Sequence, residues 1–224
     1  MPTTTNDTQV IIPYETEKEY FIDKPKNVDK GRFYSFVKRA FDLSAAILAI
    51  VVLLVPIIII ACIVAATSEG GAFYRQERLG KNGKPFHIVK FRTMYKDAEM
   101  DGAQWSQGKN DPRITPIGRI LRNTRLDELP QLWCILSGKM SFVGPRPERD
   151  CFYKEFEKYI HGFEYRLLIT PGLTGHAQVN GGYELKPEEK IIYDMEYIEN
   201  RSFKMDLKIL WQTVAVVFGR KGAK

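Results

Sequence analysis

The chain has 224 residues, enough for one substantial core or two small units, with 44% apolar and 27% charged residues. Its formal charge of +6 favours a phosphorylated or anionic partner, without choosing among nucleic acid, nucleotide and lipid phosphate. The three cysteines and three histidines lack the spacing of metal ligands, which argues against a structural zinc site. The odd number of cysteines argues against a disulfide framework.

The composition predicts three parts: a polar N-terminal tail at residues 1–35, a membrane-embedded segment at 36–68 and a cytoplasmic domain at 69–224. The second part contains the stretch Leu43–Ala66, which has no charged residue and exceeds the roughly 20 residues that cross a bilayer. This stretch starts too far from the N-terminus for a cleaved signal peptide. A fully buried helix of a soluble protein is the alternative.

Pro56 lies near the middle of the apolar stretch and removes a helical hydrogen bond to the carbonyl of Val52. Two outcomes fit: a kinked spanning helix, or a helix–break–helix that returns to the same face of the membrane. Basic residues mark the cytoplasmic side, and both flanks are basic: Lys30, Arg32, Lys38 and Arg39 before, and Arg75, Arg78, Lys81 and Lys84 after. We therefore favour the re-entrant form.

The first elements of the cytoplasmic domain are predicted from turn and capping signals. Two β-like runs at 72–78 and 86–91 flank a Gly-rich turn and predict a hairpin. Thr115 and Pro116 then have the residue types of an N-cap and a first helical position.

A further helix is predicted to begin near Asp127, with Pro130 tolerated in its first turn. Its apolar residues recur at helical spacing and predict one buried face: Leu129, Leu132, Trp133 and Leu136. Later helices are predicted around Phe152–Ile160, from Pro187 to Asn200, and after Ser202. The apolar face of the last helix fits either the core or a membrane interface.

Asp127 and Glu128 are adjacent carboxylates at a predicted helix start, where an N-cap role for Asp127 is the plain interpretation. Four arginines precede the pair closely: Arg113, Arg119, Arg122 and Arg125. A helix start with nearby arginines suits a phosphate. A carboxylate and a phosphate repel each other at such a site unless Mg²⁺ bridges the two groups or the carboxylate attacks the phosphorus atom. The pattern therefore indicates phosphoryl chemistry with Mg²⁺, and Asp127 as metal ligand or nucleophile.

Two further segments have candidate binding roles. Pro145 and Pro147 fix the backbone on either side of Arg146, which lowers the entropy cost of presenting its guanidinium. A rigid loop with a solvated arginine is the alternative. The glycines of segment 171–175 would let backbone approach a ligand closely, although they also suit any tight turn.

In their order along the chain, these segments resemble the bacterial sugar transferase family, the monotopic polyprenyl-phosphate phosphoglycosyl transferases. The matching stretches span about residues 36–218 and are Lys38–Asp42, Lys90–Met94, Leu126–Leu132, Ser141–Pro147 and Pro171–Gly181. The resemblance implies a membrane-associated α/β fold: a re-entrant membrane helix joined to a small, mostly helical α/β catalytic domain with interfacial helices. It also implies the cytoplasmic face of the bacterial inner membrane as the location.

The resemblance further implies a two-step reaction. Asp127 would attack the β-phosphate of a UDP-sugar and release UMP, and polyprenyl (undecaprenyl) phosphate would then accept the sugar phosphate. Glu128 matches the second carboxylate of the family's pair, and we expect Asp127 and Glu128 to hold the Mg²⁺. Such a reaction initiates glycoconjugate or exopolysaccharide assembly.

Six basic residues are expected to bind substrate on the same resemblance. Arg122 matches a basic position near the phosphates and Arg146 matches the arginine of the Pro-Arg-Pro segment. The other four lie in the matching stretches: Lys38, Arg39, Lys90 and Arg92. The chain departs from the family in having Val55 where a serine often precedes the membrane proline. Its short N-terminal tail resembles the family's minimal form, and a homodimer is left open.

Two other functions compete with this hypothesis. A membrane anchor holding a basic nucleic-acid-binding domain would fit the charge, but no helix-turn-helix, RNP or zinc signature is present, so we expect no nucleic acid partner. A membrane-anchored phosphohydrolase would use Asp127 with water as acceptor. Release of UMP separates both enzymes from a binding protein, and transfer to a lipid phosphate separates the transferase from the hydrolase.

Overall fold

The computed structural model describes residues 10–11, 18–100, 102–104, 111–181 and 185–218. Much of the predicted polar tail therefore lies outside the described residues. The described part combines helices with short strands, which confirms the predicted mixture of helix and sheet. The division into three parts stays a prediction.

The α-helices of the described residues are α1 (Gly31–Thr67), α2 (Pro116–Asn123), α3 (Leu132–Leu136), α4 (Asp150–Glu157), α5 (His176–Asn180), α6 (Pro187–Asn200) and α7 (Phe203–Phe218). The strands are β1 (Val10–Ile11), β2 (Tyr20–Phe21), β3 (Phe73–Leu79), β4 (Pro85–Phe91), β5 (Ala103–Gln104), β6 (Ser141–Val143), β7 (Ile160–His161) and β8 (Gly172–Thr174). They form two-stranded sheets: β3 pairs antiparallel with β4, whereas β1–β5, β2–β7 and β6–β8 are parallel pairs.

α1 is one continuous helix of 37 residues that includes Pro56. The structure therefore does not show the predicted break between two helices, and the re-entrant form stays a prediction. Proline lacks the N–H that would bond the carbonyl of Val52, but its fixed φ is compatible with helical backbone, so the helix continues through it. Within the described residues, α1 is the helix that is long and apolar enough to cross a membrane.

One face of α1 packs on the rest of the protein along most of its length. Before Pro56, Ala46, Ala49, Ile50 and Leu53 pack with residues of β4 and α3. After Pro56, four residues join a second cluster with Phe91, Leu121 and Leu129: Ile57, Ile60, Ala61 and Val64. The opposite face is apolar and exposed, with Leu43, Ile47, Leu48, Val51, Val52, Leu54, Val55, Ile58, Ile59 and Ile63. Both halves of the helix thus contact the same folded unit.

The predicted hairpin and the predicted helix start at Thr115 are confirmed. β3 and β4 pair from Phe73↔Phe91 to Leu79↔Pro85, around a short 3₁₀ turn at Lys81–Gly83. At the start of α2 the side chain of Thr115 accepts a hydrogen bond from the backbone N–H of Gly118 at 3.0 Å, as an N-cap does.

The helix predicted near Asp127 differs from expectation in type and in buried face. Residues Leu126–Gln131 form a 3₁₀ helix with Pro130 inside it, and α3 follows directly. Leu132 is buried, but Trp133 is 55% exposed. The tighter 3₁₀ turn rotates successive side chains by about 120° instead of 100°. The side chain of Trp133 therefore does not share one face with Leu129, as it would in a continuous α-helix.

Candidate active site

Asp127 and Glu128 lie in the first turn of the 3₁₀ helix, and both are buried. The chain enters this helix through Arg125, which has a left-handed conformation with φ of 59°. Arg125 occupies the N-cap position, and the helix start has no side-chain cap hydrogen bond. The N-cap role considered for Asp127 is therefore not observed, which leaves a buried carboxylate pair in need of another explanation.

Glu128 is held by two cations from distant parts of the chain. Nη2 of Arg146 lies 2.5 Å from Oε1 of Glu128, and Nζ of Lys90 lies 3.2 Å from the same oxygen. Nη1 of Arg146 lies 3.4 Å from Oε2, so the guanidinium addresses both carboxylate oxygens. Lys90 comes from β4, and Arg146 from the loop after β6. The structure thus brings together three of the predicted site residues.

The two carboxylates differ in proton affinity because their surroundings differ. Burial raises the pKa of Asp127 to about 6, and the neighbouring charge of Glu128 adds to the effect, against the opposing pull of Lys90, Arg122 and Arg146. Burial also opposes ionisation of Glu128, but Arg146 and Lys90 outweigh it and lower the pKa of this residue. The cations therefore favour the ionised form of Glu128, while burial and the neighbouring charge make Asp127 the more basic of the two carboxylates.

Arg122 is positioned by close packing between α2 and the end of β4. A Cβ atom on Gly118 would stand 2.1 Å from the carbonyl oxygen of Thr93, so a glycine is needed where the helix meets this backbone. The backbone N–H of Thr115 donates to the same carbonyl at 3.0 Å. Nε of Arg122 donates to the hydroxyl of Thr93 at 2.9 Å, which fixes the guanidinium on the cavity wall.

The segment 171–175 supports the loop of Arg146. β8 pairs with β6, and the backbone N–H of Gly172 donates to the carbonyl of Pro145 at 2.9 Å. A Cβ on Gly172 would lie 2.1 Å from the backbone nitrogen of Gly144. The glycine considered for close approach to a ligand thus allows close approach to the protein's own backbone at Gly144, directly after β6.

The remaining predicted substrate-binding residues have structural partners. Arg92 lines the cavity, and its guanidinium donates to the carbonyls of Gly70, Gly71 and Phe73. Lys38 pairs with Asp206 at 2.9 Å. Arg39 donates to the carbonyls of Ile135 and Leu136 at 2.7 and 2.8 Å. Lys38 and Arg39 do not line the cavity, and their contacts join α1 to α7 and α3.

The sequence analysis did not identify a buried ion pair that lies behind Arg146. Nε of Arg166 lies 2.6 Å from Oδ2 of Asp194, and both side chains are almost fully buried. Nη2 of Arg166 also donates to the backbone carbonyl of Arg146 at 3.0 Å. No local signal marked these residues, since Arg166 and Asp194 lie in separate elements and only packing brings them together.

A second ion pair missed by sequence reasoning joins the same loop to β3. Nη1 of Arg78 lies 2.9 Å from Oε2 of Glu148 and 3.2 Å from the carbonyl of Pro147. Glu148 directly follows the Pro-Arg-Pro segment, so its position in the chain was the one available signal. The backbone at Arg146 and directly after it is thus held by charged partners, through the carbonyls of Arg146 and Pro147.

The carboxylates lie in a cavity of about 510 Å³. Its lining includes the cations Lys90, Arg119, Arg122, Arg125 and Arg146. Among the described residues, the whole lining contains twelve Lys and Arg side chains and five carboxylates (Glu99, Asp127, Glu128, Glu148 and Asp194), an excess of positive charge that suits a polyanion such as a diphosphate. An ionised carboxylate among these cations can attack a bound phosphorus atom, and the cations can take up the charge of the leaving phosphate.

The donor set for Mg²⁺ is small. Among the described residues, no cluster of three or more His, Cys, Asp or Glu side chains has the arrangement of a metal site. Asp127 and Glu128 are adjacent carboxylates in the cavity, and Glu128 already contacts two cations. This set fits a Mg²⁺ ion that completes its coordination with water and substrate phosphates, which is how Mg²⁺ commonly binds.

Comparison with known proteins places these residues in context. The model of the bacterial sugar transferase family matches residues 33–220. The chain is 37% identical over 194 residues to the UDP-N-acetylgalactosamine-undecaprenyl-phosphate N-acetylgalactosaminephosphotransferase of Aeromonas hydrophila, covering 85% of this chain and 46% of that protein. It is 39% identical over 202 residues to the UDP-galactose-lipid carrier transferase of Erwinia amylovora, covering 84% and 42%.

A third relative is the UDP-glucose:undecaprenyl-phosphate glucose-1-phosphate transferase of Escherichia coli. Here the identity is 39% over 192 residues, covering 84% of this chain and 41% of that protein. The chain thus spans less than half the length of these relatives.

Proposed function

The chain belongs to the bacterial sugar transferase family, and on that premise we propose that it transfers a sugar 1-phosphate from a UDP-sugar to undecaprenyl phosphate and releases UMP. The names of two of these relatives contain both a UDP-sugar and undecaprenyl phosphate. The observation that carries the proposal for this chain is the buried pair of Asp127 and Glu128 in a cation-lined cavity.

In the proposed first step an ionised oxygen of Asp127 attacks the β-phosphorus of the UDP-sugar. The bond between that phosphorus and the oxygen bridging to the α-phosphate breaks, and UMP leaves with the bridging oxygen. In the second step an oxygen of undecaprenyl phosphate attacks the same phosphorus, and the carboxylate of Asp127 is released. No net proton is gained or lost at Asp127, and each step displaces one group from phosphorus.

The surroundings of Asp127 suit this role. Burial and the charge of Glu128 raise its pKa, and a more basic carboxylate is a better nucleophile while it remains ionised. Arg122 can take up charge on the donor phosphates from its fixed position on α2. Glu128 keeps Arg146 and Lys90 beside the reacting centre.

Mg²⁺ belongs to the proposal as a cofactor that Asp127 and Glu128 would hold together with the donor phosphates. When bound, it would neutralise phosphate charge as the leaving group departs. The carboxylate pair supports this assignment because Mg²⁺ prefers oxygen ligands and retains several waters.

We further propose that α1 enters the cytoplasmic leaflet of the bacterial inner membrane and that both of its ends face the cytoplasm. Residues on either side of Pro56 pack on the same folded unit. A perpendicular span would pull that unit, with its charged surface, into the hydrocarbon. The exposed apolar face of α1 is free to contact lipid, and basic residues flank both ends of the apolar stretch.

The experiment that tests the function is UMP release by the purified full chain in detergent, with a panel of UDP-sugars, Mg²⁺ and undecaprenyl phosphate. A transferase forms a lipid-linked sugar diphosphate in step with UMP. A phosphohydrolase would release free sugar phosphate with or without lipid. A nucleic-acid-binding module would release no UMP, and its cations would line an exposed surface, whereas those of this chain surround buried carboxylates.

A further inference from the structure

One part of the cavity that contains Asp127 differs chemically from the rest of its lining. It is formed by aliphatic side chains of β8, α5 and α7, here called the apolar arm: Leu173, Ala177, Val179, Leu210, Val216 and Val217. Elsewhere most of the lining is polar or charged, with side chains such as Tyr74, Gln76, Arg113 and Arg149, although some apolar residues such as Phe91 and Ile114 also line it. A single cavity thus offers cations and aliphatic carbon side by side.

The apolar arm is continuous with the carboxylate pair. Leu132 begins the helix that follows Asp127 and Glu128 directly, and it lines the same cavity. Leu173 packs in the hydrophobic cluster that contains Leu132. The aliphatic surface therefore runs from the reacting carboxylates to α5 and α7.

α7 borders both the apolar arm and an exposed apolar surface. Leu210, Thr213 and Val217 line the cavity, at positions that share one face of a helix. Leu207, Trp211 and Val214 lie on the adjoining face and are 46%, 76% and 48% exposed. α7 therefore contributes both to the cavity lining and to an exposed apolar surface beside it.

α1 bounds the same region from the other side. Leu173 and Leu132 pack with Ala49, Ile50 and Leu53 of α1, whose outward face is apolar and exposed. The apolar arm therefore lies between two helices that both carry exposed apolar faces. That is the side of the molecule where a lipid substrate would arrive if α1 is embedded in the membrane.

We propose that the apolar arm binds the first isoprene units of the polyprenyl phosphate acceptor, so that the acceptor phosphate lies among the cations around Asp127. This inference rests on the proposed function. The acceptor is an anionic group on a branched hydrocarbon chain, and the cavity pairs cations with an aliphatic surface in that order. A sugar or uracil in the arm would leave most of its polar groups without partners, which is costly, because Thr174, Gln178 and Thr213 are the polar residues among the lining residues of β8, α5 and α7.

The hydroxyls near the arm are already satisfied within the protein. The hydroxyls of Thr174 and Thr213 lie 2.8 Å apart, and Thr213 also donates to the carbonyl of Ile209 at 2.8 Å. A hydrocarbon ligand therefore costs neither threonine hydroxyl a hydrogen bond within the protein. The amide of Gln178 also lines this part of the cavity and donates to the carbonyl of Leu173 at 3.0 Å, while its oxygen has no hydrogen-bond partner among the described residues.

A matched pair of substitutions on α7 tests the proposal. Val217→Asn places an amide in the apolar arm, whereas Val214→Asn makes the same change on the exposed face and costs similar helix propensity. For the full chain in detergent micelles, we expect Val217→Asn to raise the KM for undecaprenyl phosphate about fivefold or more. The KM for the UDP-sugar should stay unchanged, and Val214→Asn should resemble the wild type in both.

A second variant and a binding measurement keep the test decisive. Ala177→Val narrows the arm from α5 and should also raise the acceptor KM alone. Retention of undecaprenyl phosphate, measured by native mass spectrometry without UDP-sugar, should fall in Val217→Asn and not in Val214→Asn. The binding measurement tests the apolar arm independently of catalysis. If no UDP-sugar releases UMP, the proposed function is refuted, but the binding result still decides the inference about the arm. Equal effects of the two asparagine variants, or a changed UDP-sugar KM alone, would overturn the inference.

Discussion

The guanidinium of Arg146 meets the carboxylate of Glu128 across 2.5 Å, although 18 residues separate them in the chain. Arg146 is fixed by a proline on each side and by Arg166, which donates to its backbone carbonyl. Glu128 is adjacent to the proposed nucleophile, Asp127. The pair thus links a rigid loop to the reacting centre, and it sets the charge that Asp127 experiences.

Arg146→Lys should impair turnover more than folding. An ammonium can still neutralise Glu128, but it cannot address both carboxylate oxygens or a phosphate in a bidentate manner. We expect kcat/KM for the UDP-sugar to fall by about 10- to 100-fold, which is about 1.4–2.7 kcal/mol, with Tm within a few degrees of the wild type. Unchanged kinetics at limiting UDP-sugar would show that Arg146 is only structural.

Asp127 should become covalently loaded with sugar phosphate. Enzyme incubated with the correct UDP-sugar and no lipid should gain the mass of one sugar phosphate, on a peptide that contains Asp127. Asp127→Asn should lose the adduct and nearly all turnover, because an amide is not a nucleophile toward phosphorus. Glu128→Gln is the matched control: it should slow turnover and still form the adduct. An adduct on Glu128 would reverse the assigned roles.

The buried pair of Arg166 and Asp194 should position Arg146 and also contribute to stability. Asp194→Asn leaves Arg166 buried without its counter-charge, and we expect a loss of about 3–5 kcal/mol in the free energy of unfolding. The double variant Arg166→Met with Asp194→Leu should recover much of that stability in urea unfolding. It should still have a low kcat, because the carbonyl of Arg146 has lost its donor. Full activity in this double variant would exclude a positioning role.

Turnover should require Mg²⁺. Two adjacent carboxylates and a diphosphate repel one another unless a cation screens them, and Arg146 and Lys90 are already paired with Glu128. Excess chelator should abolish UMP release, and added Mg²⁺ should restore it. Undiminished turnover in chelator would contradict the assignment of Mg²⁺ to Asp127 and Glu128.

Both ends of α1 should be accessible from the cytoplasm alone. Asn27 and Glu69 are exposed residues on either side of the helix, and each can be changed to cysteine after Cys62, which is exposed within α1, is replaced by serine. A membrane-impermeant thiol reagent should label neither position from outside intact cells and both after lysis. Labelling of one position from outside would mean that α1 spans the bilayer.

The candidate site was recognisable from sequence because its central residues are local. Asp127 and Glu128 are neighbours, and Arg122 and Arg125 precede them within a few residues. Arg146 was also identifiable, since prolines on both sides restrict its backbone. The choice of Lys38 and Arg39 as substrate ligands rested on position in matching stretches alone, and the structure directs these side chains to Asp206 and to α3.

The sequence by itself determined the features that depend on neighbours in the chain. The N-cap of α2 at Thr115, the β3–β4 hairpin and the long apolar helix all follow from residue type and spacing, because turns, caps and periodic faces are short-range. Tertiary structure alone decided the pairing of Glu128 with Arg146 and Lys90, the burial of Arg166 with Asp194, and the continuity of α1 through Pro56. Each of these depends on packing between distant segments, and the strength of a charge pair depends on how far that packing excludes water.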